Sequence, residues 1–202
     1  ECFAVVNQPG FRNSALAGLQ VAIAALVVLP LIELSDFSHL IGFASLGTLV
    51  ALFGRFAAPE RRGFTVFLCL LCQTATVFVM SLVAWLELPM VGQLAILALL
   101  CGTLFYIVTV GDFGPPGALI FIFAASVSMG QVDTFASVLE RTTATAVAAA
   151  LAWLVVMITD VFRHDTPAAQ DWFKSRPASH KLIAVARMVL GSAVAAYVAY
   201  AF

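Results

Sequence analysis

Uncharged apolar runs alternate with short polar breaks along almost the whole chain, and the length of each run sets what it can become. Residues 13–32, 37–54, 63–86 and 88–111 form the first four runs, none containing Asp, Glu, Lys or Arg. A helix needs about 20 apolar residues to cross a hydrocarbon core of roughly 30 Å, so these four are expected to span a membrane. Then the rhythm breaks. Residues 111–130, GDFGPPGALIFIFAASVSMG, open with a Gly/Pro-rich stretch and continue only as the uncharged run 118–129, too short to cross as a helix. A polar connection, QVDTFASVLER, leads to a sixth run at 142–159, and the polar stretch 160–181 leads to a seventh at 182–202, interrupted only by Arg187.

Within the runs, small and polar residues recur at helical spacing. Ala15, Gly18, Ala22 and Ala25 in the first run, and Ala144, Ala148 and Ala152 in the sixth, suit close helix packing in lipid. Gln20 is a polar point on the first run, suited to a hydrogen bond with a neighbouring helix or to a substrate. Gln73, Thr74 and Thr76 make a polar stripe on the third run; Gly102, Thr103, Tyr106 and Thr109 do so on the fourth. The expected architecture is all-α and polytopic. Residues 1–163 form a six-span helical unit, 164–181 a cytoplasmic linker, and 182–202 the first transmembrane helix of a second repeat. Arg12 and Arg187 each lead into Ala-rich helix sequence, and a parallel repeat is one of the known transporter designs.

Composition narrows the class. Of 202 residues, 62% are hydrophobic and only 10% charged, against about 25% charged in a soluble domain; mean hydropathy is +1.04. The net charge of -1 and the scattered basic residues give no nucleic-acid footprint. With the N-terminus in the cytoplasm, eight of the ten basic residues (Arg12, Arg55, Arg61, Arg62, Arg163, Lys174, Arg176 and Lys181) fall on the cytoplasmic side, as the positive-inside rule requires. The first run is too long, and followed by too many others, for a cleavable signal peptide. The chain lacks an initiator Met and stops within an apolar run, so a piece of a longer protein is expected.

The Gly/Pro break is the strongest candidate site, since an interrupted membrane segment points to a transporter's binding site. Pro115 and Pro116 suit the first turn of a helix, where a missing N–H costs nothing. Free N–H groups would then face whatever lies beneath Gly114 and favour an anion, with Gly117 completing the motif. Asp112 can instead cap that end, and a tight turn before a short buried helix fits the same residues. Arg141 is the basic residue that departs from the orientation trend. It can neutralise a carboxylate near the outer end of the sixth span, pair with Glu140 or Asp133, or snorkel to the headgroups. Arg55 can receive substrate at the end of the second span or anchor topology with Arg61 and Arg62. Tyr106 and Gln73 complete the candidate substrate-binding set, and Phe105, Phe113, Phe121 and Phe123 join Tyr106 as aromatic surfaces.

Other chemistry finds little support. Cys69 and Cys72 form a C-x-x-C inside FLCLLCQTATVF, where buried small side chains fit better than redox or zinc chemistry. His39, His164 and His180 are isolated, with neither metal spacing nor a nucleophile nearby. No enzyme activity, catalytic residue, metal or other cofactor is expected.

Three pieces in order carry a family resemblance: GRFAAPERRGF between the second and third runs, GPPGALIFIFAAS after the fourth, and ERTTATAVAAALAWLV opening the sixth. On these, the chain resembles the fusaric acid resistance family, the aromatic acid exporters, over most of residues 12–202. The resemblance implies a bacterial inner-membrane protein whose six-span unit occurs twice and which exports aromatic carboxylates or related toxic organic acids, driven by the proton gradient. Plant aluminium-activated malate channels look like distant relatives, which keeps a passive organic-anion channel as an alternative. Many long members of the family place a large cytoplasmic domain after the sixth span, whereas here the linker is short. A third reading is a non-transporting membrane scaffold whose small-residue faces serve a homo-oligomer. The expected partners are the lipid bilayer and a small organic anion.

Overall fold

The structure, a computed structural model, describes residues 11–54, 57, 59–111, 113–114, 116–162 and 178–201. Within them the helices are α1 (Phe11–Glu33), α2 (Ile41–Thr48), α3 (Pro59–Trp85), α4 (Met90–Gly111), α5 (Leu119–Val127), α6 (Phe135–Thr159) and α7 (Ala178–Ala201). Tight 3-10 turns flank α2 at Ser38–Leu40 and Leu49–Leu52, and another follows α6 at Asp160–Phe162. The described residues contain no strand. Four stretches, Asn13–Glu33, Glu60–Trp85, Met90–Gly111 and Phe135–Phe162, are helices long and apolar enough to cross a membrane. Length and composition therefore mark an all-α membrane protein.

Helix starts follow local chemistry. Pro59 occupies the first position of α3, where its lack of an N–H is harmless. Thr134 caps α6 by accepting from the Ser137 N–H at 3.2 Å. That cap starts α6 seven residues before the apolar run, so most of the polar connection at 131–141 is helix and Arg141 lies in its second turn.

The second and fifth runs differ from the four long ones. The second is a composite apolar helix, Ser38–Leu52, which at about 1.5 Å per residue reaches little over 20 Å. The fifth, α5, has 9 residues and spans about 13 Å. Both pack against long helices, α2 against α1 and α6, α5 against α3 and α4, with Leu119, Phe123 and Val127 leaving one face of α5 exposed. Helix α7 lies outside this group and packs on α4, with Val189 occupying the space a Cβ at Gly102 would need. Most of the expected linker, 164–181, lies outside the described residues.

α2 and α6 run in the same direction with their backbones in close approach. Phe43 lies beside Arg141 and Thr145, Gly47 beside Thr145, Ala148 and Ala149, and Ala44 packs with Ala148. A Cβ built on Gly47 would stand 2.5 Å from the Thr145 carbonyl oxygen and 2.8 Å from the Ala148 Cβ. Thr145 shares its hydroxyl proton between Arg141 O at 2.9 Å and Phe43 O at 3.3 Å. Of the small residues expected to pack on α6, Ala148 and Ala152 are fully buried.

On α1 the expected small-residue face turns outward. Ala15, Gly18 and Ala22 are exposed, while Asn13, Ala17, Gln20, Ala24 and Val28 are buried. Two amides decide this orientation, because a polar group finds partners inside the protein and none in lipid. Gln20 donates from Nε2 to Thr159 Oγ1 at 2.7 Å, tying α1 to the end of α6.

Gly47→Ala is expected to destabilise the protein by about 1–3 kcal/mol, because its new methyl meets backbone atoms that cannot rotate away. Gly18→Ala has nothing within 4 Å of its Cβ and is expected to leave stability unchanged or slightly raised. Thermal unfolding of the two variants in detergent separates them.

Candidate functional site

The two short elements meet end to start in the interior. The second element ends at Phe53, where the backbone turns extended (φ -78°, ψ 168°), and Gly54 reverses the chain at φ +75°. Phe53 stacks flat on Phe121 in the first turn of α5, ring centroids 5.1 Å apart and planes 1° apart. Both rings are fully buried, in a cluster with Val50, Val66, Cys69, Phe113 and Ala149. Cys69 thus belongs to the packed core, free of any disulfide.

A buried arginine closes this end of the bundle. Arg62, only 4% exposed, donates from Nη1 to Asp160 Oδ1 at 2.6 Å, at the C-terminal end of α6. Its Nε donates to Gly54 O at 3.3 Å and its Nη2 to Ala57 O at 3.3 Å. One guanidinium therefore holds the turn after the second element, the start of α3 and the end of α6. A Cβ at Gly54 would press on Val66 Cγ2 at 2.8 Å and Arg62 Cγ at 3.1 Å, so the glycine is required by space as well as by φ. The expectation that Arg62 merely anchors topology misses this role. Taking α3 from Pro59 would have exposed it, since Arg62, Val66, Cys69 and Gln73 then share one helical face.

At the Gly/Pro break, α5 begins at Leu119 and no side chain caps it. Pro116 precedes the helix, in a turn closed by the Gly117 N–H donating to Gly114 O at 3.0 Å. Gly114 and Gly117 adopt φ +70° and +69°. These left-handed residues set a turn where the Pro-Pro pair was expected to open the first helical turn. Pro115, Asp112 and Arg55 lie outside the described residues.

Arg141 sits at the opposite end of α5. Its Nη1 donates to Gly130 O at 3.1 Å and its Nη2 to Gln131 O at 2.7 Å. The guanidinium carbon lies 5.1 Å from the centroid of the Phe43 ring. Arg141 thus ties the chain after α5 to α6 and α2 through carbonyls and a ring, and the Asp133 carboxylate attracts its charge. His39 Nε2 stands 3.6 Å from Glu140 Oε2 at the same end, both side chains exposed.

The remaining candidates are dispersed. Gln73 is fully buried in the middle of α3, donating from Nε2 to Leu46 O at 3.4 Å, while its Oε1 has no partner. Tyr106 is 43% exposed on the outer face of α4. Gly117 and Arg141 bracket α5, Gln73 lies between those levels, and Tyr106 faces away. Among the described residues of α1 to α6, the arrangement offers buried hydrogen-bonding groups in mid-bundle and places Arg62 and Arg141 towards its two ends. No protein-family model, curated protein sequence or solved structure matches the chain.

Asp160→Ala is expected to cost about 3–5 kcal/mol by leaving the Arg62 guanidinium buried without its carboxylate. Adding Arg62→Met to it is expected to recover part of that loss. Unfolding midpoints of the single and double variants test this; a double variant less stable than Asp160→Ala would contradict it.

Proposed function

We propose that the chain belongs to a bacterial inner-membrane transporter that exports organic anions of the aromatic carboxylate class, coupled to the proton gradient. The observation that supports this most is the pair of short helical elements packed against four long apolar helices. Non-helical backbone at membrane depth is tolerated only where protein or a cavity covers it, and transporters place such interruptions where substrate binds. In this reading the six apolar runs make six passes, the two short elements completing their crossings through the turns at Gly54 and the Gly/Pro break. The distribution of basic residues puts that break, together with Arg62 and Asp160, on the cytoplasmic side. Arg141, His39 and Glu140 then lie on the outer side. Arg55, which lies outside the described residues, and Arg141 are the cations a carboxylate meets on entering and leaving. The resemblance to the fusaric acid resistance family supports the substrate class, and α7 is the first helix of a second repeat.

A passive organic-anion channel on the same helices is the second reading. Its support is that the runs 13–32, 37–54, 63–86, 88–111, 118–129 and 142–159 contain no Asp or Glu to carry a proton. A non-transporting scaffold is the third.

Uptake of labelled hydroxybenzoate into proteoliposomes holding the full-length protein separates these readings. Exporter function is expected to give accumulation above equilibrium only with an imposed pH gradient. Equilibration that responds to voltage and ignores pH would establish the channel instead, and no flux of any organic anion would leave the scaffold.

A further inference from the structure

Arg187 is a charge inside an apolar helix that the transport reading leaves without a role. Neither α7, on which it stands, nor α4, the helix against which α7 packs, contains an Asp or Glu. An ionised side chain at membrane depth requires an opposite charge or a route to the headgroups. The contacts of Gly102 show which way it faces. A Cβ there would meet the side chains of Val185 and Val189, so these two residues, one turn apart, form the face of α7 turned to α4. Arg187 lies midway between them in sequence and about 200° round the helix from each. It is exposed. Ile183, Leu190 and Val194 are exposed with it, four residues before, three after and seven after, which puts all four on one outward stripe.

Depth follows from the same packing. The Cys101 thiol is within hydrogen-bonding reach of the Ser192 side chain, while Gly102 meets Val189 and Val185. Helix α7 therefore runs antiparallel to α4, its N-terminal end beside the C-terminal end of α4 at Gly111. Counting residues from Gly102 to Gly111 and from Val189 back to Arg187 places the Arg187 backbone about 10 Å inside that end. Side chains on a helix tilt toward its N-terminus. The long arginine stem thus runs back toward the membrane surface and carries the guanidinium to headgroup level. Leu190 and Val194 continue the stripe in the opposite direction, toward the middle of the membrane.

The surrounding charge selects the ligand. Between residues 172 and 202 the sequence holds Lys174, Arg176, Lys181 and Arg187 and no Asp or Glu. A cluster of basic residues leading into a membrane helix attracts anionic lipid. The guanidinium fork matches two oxygens of a phosphodiester. A small soluble anion would satisfy the guanidinium and leave the apolar stripe beside it unused, whereas a phospholipid has a chemical part for each.

We infer that the outward face of α7 binds an anionic phospholipid, with Arg187 holding the phosphodiester and Leu190 and Val194 lying along an acyl chain. The occupied leaflet is the one at the N-terminal end of α7, which is cytoplasmic in the orientation proposed above. The site itself rests on exposure and packing and does not depend on transport.

The test places the full-length protein in phosphatidylcholine nanodiscs and measures association of spin-labelled phosphatidylglycerol and spin-labelled phosphatidylcholine. The native protein is expected to favour phosphatidylglycerol by at least about fivefold, the worth of one basic residue near an anionic headgroup. Arg187→Gln is expected to lower that preference about fivefold, and Arg187→Lys, which keeps the charge, to retain most of it. Unfolding midpoints in phosphatidylcholine alone confirm that both variants are folded. Equal association of the two lipids with the native protein would overturn the inference. A preference that survives Arg187→Gln would also overturn it, assigning the selectivity to Lys174, Arg176 and Lys181. Displacement of the labelled phosphatidylglycerol by excess soluble glycerol phosphate would overturn it in favour of a free-phosphate site. None of these measurements uses flux, so each of these failures leaves the transport reading standing.

Discussion

Contact between α2 and α6 without an intervening side chain is the constraint on which the rest of the bundle depends. At Gly47 the missing Cβ lets the helix approach the Thr145 carbonyl and Ala148 closely. Association of helices in lipid has little hydrophobic drive and relies on close packing and interhelical hydrogen bonds, both of which this seam supplies. The Thr145 hydroxyl crosses it to Phe43 O, and the Arg141 guanidinium covers the Phe43 ring one turn further on. With α2 seated in this way, the chain following it delivers Phe53 to Phe121 and Gly54 to Arg62. The stack orients the first turn of α5, and Arg62 ties the turn after α2 to Asp160 at the end of α6. The seam, the stack and the ion pair thus follow one another along the bundle.

Polar chemistry is graded along the same axis. Arg62 with Asp160 and Arg141 stand near opposite ends of α6, each with partners made by the fold, and Gln73 lies buried in mid-α3. Gln20 is satisfied by Thr159, while Gln73 is satisfied at its nitrogen and not at its oxygen. Amides at depth cost far less to hold in an apolar medium than unpaired charges.

Run length and charge made the four long helices legible in the sequence, because a span of about 20 uncharged residues has few other folds. The brevity of α5 was legible for the same reason. The division of the second run into α2 and two 3-10 turns was not, since 37–54 is uncharged throughout. The early start of α6 was written in Thr134 and Ser137, within a stretch whose polarity reads as a loop. The face of α1 that is buried was hidden because small residues and amides compete for it, and the amides prevail. Of the candidate site residues, Gln73 was singled out by polarity in an apolar run, but its orphaned oxygen required coordinates. Arg141 stood out by position, and only its partners show that it braces the chain after α5.

The parallel seam between α2 and α6 is tested most directly by a cross-link. Ala44→Cys and Ala148→Cys, placed together in a protein whose native cysteines are replaced by alanine, put two thiols on residues that pack in one buried cluster. Mild oxidation in the membrane is expected to join them into an intramolecular disulfide, while Ala84→Cys with Ala44→Cys, on residues of separate clusters, stays reduced. Formation of the second bridge and not the first, in protein that retains its native unfolding midpoint, would contradict the account.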